Sequence, residues 1–398
     1  MYSLNIQTDN SMIKELCEQY WLLDGNHKFV YKIGELADNF QMKAYEISKV
    51  VKEHSVLQST NILCRTCQTP FLFHTRTDLQ QKNIHDWQCT ECRQVEQESE
   101  RQQQFKLEQQ ISQEKIAMLD ENYEQAIQHP FDVEKLSIKE MIYLLALLRF
   151  SADENLQFIH SIDEIQSAVK HLSIKPKGIV TYLYKHNIIV ISPASDLKNI
   201  IVEGDNFKYY PLKVEWLLTN HQIMPMWDTI SCLEKRLKDK GFIKENLENL
   251  IEMSLEIALQ ECISYLEYQV DVYNLHFQVG DKTVRILKDE LTRHPVSQVY
   301  SFILKAVKNA ILYYSKGLVS KKQAANIIPN NIQKAAEDDR ANGWHTRYNR
   351  IKDIPQSILS KTLYDSVLQQ DDGGFHYTYH ECVSNFLTKS NVEMEEIV

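Results

Sequence analysis

The chain is short of the two residues that interrupt helices: its 398 residues include only 10 Gly and 9 Pro. With Leu, Ile, Lys, Glu and Gln abundant, that scarcity favours helices. A long hydrophobic run is also missing. The most apolar stretch, IYLLALLRF at Ile142–Phe150, is far too short to span a bilayer. MYSLNIQTDN, the first ten residues, has neither the basic start nor the apolar run of a signal peptide, so a cytoplasmic protein without a membrane partner is expected. Positive charge is in deficit. A net charge of −10 argues against non-specific nucleic-acid binding by the whole surface and confines any such binding to a local patch. Familiar catalytic signatures are absent too. There is no GxxxxGK[ST] or GxGxxG loop, no GxSxG elbow, no HExxH pair and no clear carboxylate-plus-lysine nuclease pattern.

Cysteine is sparse but not random. Eight residues sit at 17, 64, 67, 89, 92, 232, 262 and 382, and four of them form two CxxC pairs within CRTCQTPFLFHTRTDLQQKNIHDWQCTEC. A disulfide framework does not suit a reducing cytosol. A redox CxxC wants one pair at a helix start in a βαβ unit. Here 21 residues, 68–88, separate two pairs, close to the spacing of a zinc ribbon. Two residues between cysteines let one tight turn aim both thiolates at one ion, so Cys64, Cys67, Cys89 and Cys92 would complete a tetrahedral shell around one structural Zn2+. FLFHTRTDL and Trp87 read as short strands carrying the two turns. His74 and His85 are substitutes that a four-cysteine shell does not need.

Before the ribbon, KIGELADNFQMKAYEISKVVKEHS spaces Ile33, Leu36, Ala37 and Phe40, then Ala44, Ile47, Val50 and Val51, as two short amphipathic helices. With SMIKELCEQYWLL as a supporting helix, the segment resembles the helix-turn-helix of many bacterial regulators, although the usual turn glycine is missing. Tyr45, Lys49 and Lys52 share one exposed face at i, i+4 and i+7, with Lys43 just before them. That face suits phosphates and base edges. The alternative is an ordinary solvated face, because residues 1–60 hold six Lys/Arg against eight Asp/Glu.

Five domains are expected: a helix-turn-helix at 1–60, a small β zinc ribbon at 61–93, a helical connector at 94–128, a winged-helix-like domain at 129–212 and a helical domain at 213–398. The connector is polar, Gln-rich and free of Gly and Pro. In the middle domain, LSIKEMIYLLALLRF, IDEIQSAVKHL and PKGIVTYLYKHN read as helices. IIVISP, KNIIVEGD and NFKYYPL read as strands, the last two joined at Gly204-Asp205-Asn206. From Lys213 onward the pattern is nearly all helical, with Trp216, Trp227 and Phe242 as core anchors. The Glu residues of ENLENLIEMSLEIALQECISYLEYQV read as a solvated face. The fold class is therefore mainly α and multidomain.

Residues 305–352 break the charge map, with ten Lys/Arg and three Asp/Glu, a net of +7 in an otherwise acidic chain. Aromatics are interleaved at Tyr313, Tyr314, Trp344 and Tyr348. Cations hold phosphates while flat rings stack on bases. Lys321, Lys322, Arg340, Trp344, Arg347 and Arg350 are thus candidate nucleic-acid contacts, unless these charges pair with the acidic helix at 244–267. Near the end, FHYTYHEC reads as a strand that would put His376, His380 and Cys382 on one side.

Helix-turn-helix and zinc-ribbon units occur in many unrelated proteins. The body, with LLALLRF, YYPLKVEWLL and VSKKQAANIIPNNIQ, resembles bacterial proteins to which no activity is attached, so the resemblance transfers no catalytic residue. The leading expectation is a bacterial zinc-containing accessory or regulatory protein that binds nucleic acid, double-stranded DNA first, with a protein partner or a second copy also open. The alternative is a non-catalytic adaptor in a larger bacterial complex, such as a phage-defence or mobile-element system. A metal-dependent nuclease using His376 and His380 ranks last.

Overall fold

The computed structural model describes residues 2–79, 86–166, 171–317 and 319–395, with side chains described to Thr388. The chain is mainly helical with small sheets, and it divides into two compact units, Met1–Ile111 and Ser112–Val398. No described helix is long and apolar enough to cross a membrane.

The first unit begins with strand β1 (Tyr2–Ile6), followed by helices α1 (Ser11–Trp21), α2 (Ile33–Asn39) and α3 (Ala44–His54). Strands β2 (Ser55–Leu63) and β3 (Pro70–Phe73) come next, then a short helix α4 (Arg76–Leu79). Asn10 starts α1 by accepting the N–H groups of Met12 and Ile13 through its side chain. Glu35 and Glu46 reach back to the N–H groups of Lys32 and Lys43, each at 2.9 Å, and so fix the starts of α2 and α3. Between α2 and α3, Gln41 takes the left-handed conformation (φ 53°) in the place where a turn glycine was missed. Leu36, Ile47 and Val51 bury the inner faces against Leu16, Tyr20 and Trp21. Full burial of each such side chain contributes about 1.5–3 kcal/mol.

The N-terminal strand was not expected. β1 pairs antiparallel with β2, and β2 with β3, so Leu4 lies opposite Leu57 and Leu57 opposite Phe73. The strands beside the cysteines thus extend the sheet of the helical module. FLFHTRTDL is only partly a strand: it bends into α4, where the Arg76 guanidinium donates to the carbonyls of Tyr20 and Tyr31 and lies 4.2 Å from the Tyr20 and Phe29 ring centres. Helix α5 (Thr90–Ile127) covers most of the segment read as a helical connector at 94–128 and begins before it. Leu119 is its one buried side chain among those described.

The second unit is built on α6 (Ile138–Ser151), which is apolar on nearly all sides and buried accordingly. A Ser137–Glu140 capping box starts it. Around it run α7 (Ile162–Ile165), α8 (Pro176–Lys185), β4 (Ile189–Ile191), β5 (Ile200–Glu203), β6 (Asn206–Tyr209), β7 (Trp216–Leu218), α9 (Met226–Arg236), α10 (Lys240–Glu245) and the first turns of α11 (Leu247–Val272). The far half of α11 joins α12 (Asp281–Leu291), α13 (Val296–Ser315), α14 (Lys321–Ala325) and α15 (Ile328–Asn342) in a second core. The chain closes with α16 (Ile358–Lys361), a π-helical turn at Thr362–Val367, α17 (Gly373–His376) and α18 (Tyr379–Glu395).

Several expectations change here. Of the helix read at 162–172, only Ile162–Ile165 is helical, and residues 167–170 lie outside the described ones. The β5–β6 hairpin forms as expected, with Gly204 at φ 60°. However, β4 pairs with β7, a strand inside the segment read as helical from Lys213. Trp216 of β7 is fully buried, whereas Trp227 is 57% exposed and anchors no core. FHYTYHEC is helical, not a strand: His376 and His380 are exposed while Cys382 is buried, so the three share no face. Of the alternating aromatics only Phe375 is buried, and Tyr377 is exposed, so the alternation does not mark a buried strand face.

Candidate metal centre and nucleic-acid surfaces

Cys64 directly follows β2 and Cys67 lies in the loop to β3. Cys64 N–H donates to the Thr69 carbonyl (2.8 Å) and Gln68 N–H to the Cys64 carbonyl (3.0 Å), with Gln68 left-handed at φ 61°. This tight loop turns both sulfurs the same way. The second pair belongs to a helix start, not to a β ribbon: Cys89 precedes α5 and Cys92 stands in its first turn. Arg65 N–H donates to the Trp87 carbonyl (3.1 Å), and the Trp87 ring meets Phe71 edge-on at 5.0 Å. Those contacts bring hairpin and helix together. Arg65 also pairs with Glu96 at 2.8 Å, and Gln88 donates to the same carboxylate.

The four sulfurs lie within 4.8 Å of one another, Cys67 and Cys89 at 3.5 Å, and none forms a disulfide. A tetrahedral ion with about 2.3 Å metal–sulfur bonds sets its sulfurs about 3.8 Å apart, so the geometry fits one ion. The protonation chemistry agrees. Burial opposes a Cys64 thiolate, yet the N–H groups of Cys67, Cys89 and Thr66 outweigh it and pull the thiol down to about 6. Cys92 is pushed up to about 12, first by Cys89 and then by Cys67. Four thiolates this close repel one another unless a cation joins them. The shell leaves no protein position open, so what it can do is hold the hairpin to the helix. His74 is exposed and its N–H donates to Asp78, outside this cluster. His85 lies outside the described residues.

No protein-family model, curated protein or solved structure matches this chain.

The predicted nucleic-acid contacts divide by position. On α3, Lys43, Tyr45, Lys49 and Lys52 all face solvent, opposite the buried Ile47 and Val51, and Tyr45 is 66% exposed. Tyr45 donates to Glu46, but Lys49 and Lys52 enter no ion pair among the described residues. In the second unit, Trp344 is 58% exposed, and Lys305 sits 5.4 Å from its ring centre. Lys321 lies 5.9 Å from the ring of the exposed Tyr314, and Lys322 and Arg347 face solvent. Lys305, Lys308 and Leu312 follow one another at i, i+3 and i+7 on the outer face of α13.

Two of the candidates are committed internally. Arg340 donates to the buried Glu290 at 2.7 Å. Arg350 is partly buried and shared between Glu261 (3.0 Å) and Asp372 (2.8 Å), with its Cζ 4.4 Å from the Phe375 ring centre. Arg340 remains exposed while it makes this bond, whereas Arg350 is largely enclosed. Through Arg350 alone the basic segment meets the acidic helix, and Glu261 departs from the solvated face expected of it. Burial raises the Glu261 carboxyl above its ordinary range, Arg350 pulls it back and Asp372 pushes it up again. Asp372 holds a strained left-handed conformation (φ 46°), and the nearby π-helical turn is also a sparsely used geometry. The sequence carried no sign of this triad beyond its charges.

Proposed function

We propose that this protein is a zinc-containing, cytoplasmic nucleic-acid-binding protein, with double-stranded DNA as the first candidate and an accessory or regulatory role. The observation that carries the reading is the face of α3. Lys43, Tyr45, Lys49 and Lys52 stand outward while Ile47 and Val51 lock the opposite side into a helical core. A helix so presented matches the width of the DNA major groove, and its lysines meet the flanking phosphates. The antiparallel β2–β3 hairpin that follows α3 has the place of a wing, and the cysteine cluster sits at its tip. Cys64, Cys67, Cys89 and Cys92 would hold the ion. Zinc suits an all-sulfur shell of four and, when bound, supplies charge neutralisation and a cross-link. The exposed surface at Lys305, Lys308, Lys321, Lys322, Trp344 and Arg347 supports a second grip on the backbone or on unstacked bases.

The test is a salt titration of DNA binding by the zinc-loaded protein. Binding should weaken steeply with salt, and Lys49→Glu and Arg347→Glu should each weaken it further. Absence of a DNA complex at low salt overturns the reading. One observation favours the adaptor alternative: Ile223 (74% exposed) borders a groove of about 800 Å3 in the second unit. An apolar residue so exposed suits a protein partner within a larger assembly, such as one serving phage defence. Stable co-purification with one partner, without DNA binding, would support that role.

A further inference from the structure

The second unit holds one large aromatic ring in solvent on a fixed backbone. Helix α15 ends at Asn342, Gly343 turns the chain at φ 65°, and residues 344–350 follow without helix or strand. Three N–H groups pin this strap to the helices beneath it. Trp344 donates to the Asp339 carbonyl (3.2 Å), Thr346 to Oδ1 of Asp339 (3.2 Å) and Tyr348 to the Ser297 carbonyl (2.8 Å). Arg350 anchors the far end to Glu261 and Asp372. Every side chain from 344 to 349 is nevertheless exposed. Lys305 of α13 stands 5.4 Å from the Trp344 ring centre, within range of a cation–π contact. An indole so placed leaves most of its apolar area in water, and a flat partner would recover it.

The charges around this ring are largely uncommitted. Of the ten Lys/Arg in 305–352, Arg340 and Arg350 pair with carboxylates, and the other eight enter no ion pair among the described residues. The three acids of the segment leave only Glu337 and Asp338 exposed, because Asp339 is buried. Nearby carboxylates are occupied: Asp289 pairs with Arg293, and Asp353 accepts from Tyr268. Lys305, Lys308 and Lys316 recur at i, i+3 and i+11 on one side of α13, over about 16 Å along its axis. Free cations in a row beside an open ring suit a polymer that carries phosphates and flat bases together. A duplex offers only the phosphates here, because stacking covers its base faces. A single strand offers both. An acidic protein segment supplies charge but no flat partner for the indole.

We propose that this surface binds single-stranded DNA, with Trp344 stacked on a base and Lys305, Lys308 and Arg347 at the phosphates. The inference deepens the nucleic-acid reading and rests on it for the choice of DNA. It adds the form of the strand that the second unit takes, and the α3 face has no part in it.

The experiment is fluorescence anisotropy of the full-length, zinc-loaded protein with a labelled strand of about 20 nucleotides that cannot pair with itself, long enough for one such site. The same strand annealed to its complement is the duplex arm. At about 50 mM salt the single strand should bind saturably. Trp344→Ala should weaken the strand about tenfold and the duplex by less than about twofold, and Trp344→Tyr should keep most of the affinity, because any aromatic face can stack. Lys305→Ala and Lys308→Ala should each lower the slope of log affinity against log salt by about 0.7, whereas Trp344→Ala should leave that slope unchanged. No single-strand complex at this salt overturns the proposal, and a duplex complex seen alongside that failure leaves the reading of α3 standing. A strand complex without a duplex complex upholds the proposal and overturns the duplex reading alone. Strand binding unmoved by Trp344→Ala, or an equal loss for strand and duplex, overturns the proposal. So does full displacement of the strand by inorganic polyphosphate at equal phosphate concentration, since that polymer has the charge without the bases. An RNA strand of the same sequence bound about tenfold more tightly overturns the choice of DNA.

Discussion

Arg350 donates to Glu261 at 3.0 Å across 89 residues of sequence, and the same guanidinium grips both oxygens of Asp372 at 2.8 Å. A cation that composition assigns to a basic surface is therefore an internal strut between α11 and the turn before α17. Replacing Arg350 by Met would leave two carboxylates facing each other in a buried place. A loss of about 3–5 kcal/mol in unfolding free energy is expected. The deficit should depend on pH. Burial already raises the folded-state pKa of Glu261 above its ordinary value, and without Arg350 it rises further. A carboxyl with a raised folded-state pKa holds its proton more firmly in the folded protein. The variant's deficit should therefore be smallest below the ordinary carboxylate range and grow as pH rises through and above it. Urea melts at about pH 5 and about pH 8 check this. A variant as stable as the parent at both would place Arg350 back on the surface.

The cysteine cluster should govern part of the first unit rather than all of it. Leu36, Ile47 and Val51 pack with Leu16 and Trp21 away from the sulfurs. Chelation, or Cys92→Ser, should therefore loosen the β2–β3 hairpin and the start of α5 while helices α1 to α3 persist. The expected readouts are one zinc per chain by elemental analysis before stripping, new proteolytic cuts between 63 and 93 after it, and little change in helical circular dichroism. Untreated protein without a transition metal would refute the assignment of the site.

How far the sequence exposes all this depends on how local each signal is. The Cys64–Cys67 and Cys89–Cys92 pairs are short-range patterns, and α5, α6, α11 and α13 follow from long runs free of helix breakers, so each is readable from neighbouring residues. The pairings β1 with β2 and β4 with β7 join strands separated by long intervening segments, and nothing in either strand names its partner. Glu261 looks like its solvated neighbours on α11 until the fold brings Arg350 to it. Gln41 shows that tertiary packing can enforce a turn without the glycine that would advertise it. FHYTYHEC shows that alternation over eight residues does not separate a strand from the junction of two helices.

The exposed lysines should act through counterions. If α3 lies on a duplex, Lys49→Ala and Lys52→Ala should each lower the slope of log affinity against log salt by about 1, with little change between DNA sequences. Lys308→Ala on α13 should do the same only if the second surface also touches the backbone. Fluorescence anisotropy across a salt series measures all three. A slope unmoved by Lys49→Ala and Lys52→Ala together would remove α3 from the interface.

Two backbone positions should respond with opposite signs. Gln41 occupies left-handed space at φ 53°, where a side chain costs about 1–2 kcal/mol and glycine costs nothing. Glycine's greater freedom in the unfolded chain returns about 0.4–1 kcal/mol of that difference. Gln41→Gly should therefore stabilise the first unit by roughly 0.5 kcal/mol. Gly374 is the reverse case: a Cβ there would overlap the ring of Tyr364, a buried residue of the π-helical turn. A ring held on all sides cannot step aside, so Gly374→Ala should cost about 1–3 kcal/mol or more. Thermal and urea melts of the two variants compare them directly. A destabilised Gln41→Gly would mean that Gln41 contributes a contact worth more than its strain. A neutral Gly374→Ala would mean that α17 can shift away from Tyr364 at no cost, and the tight turn that places Asp372 against Arg350 would then be softer than its packing implies.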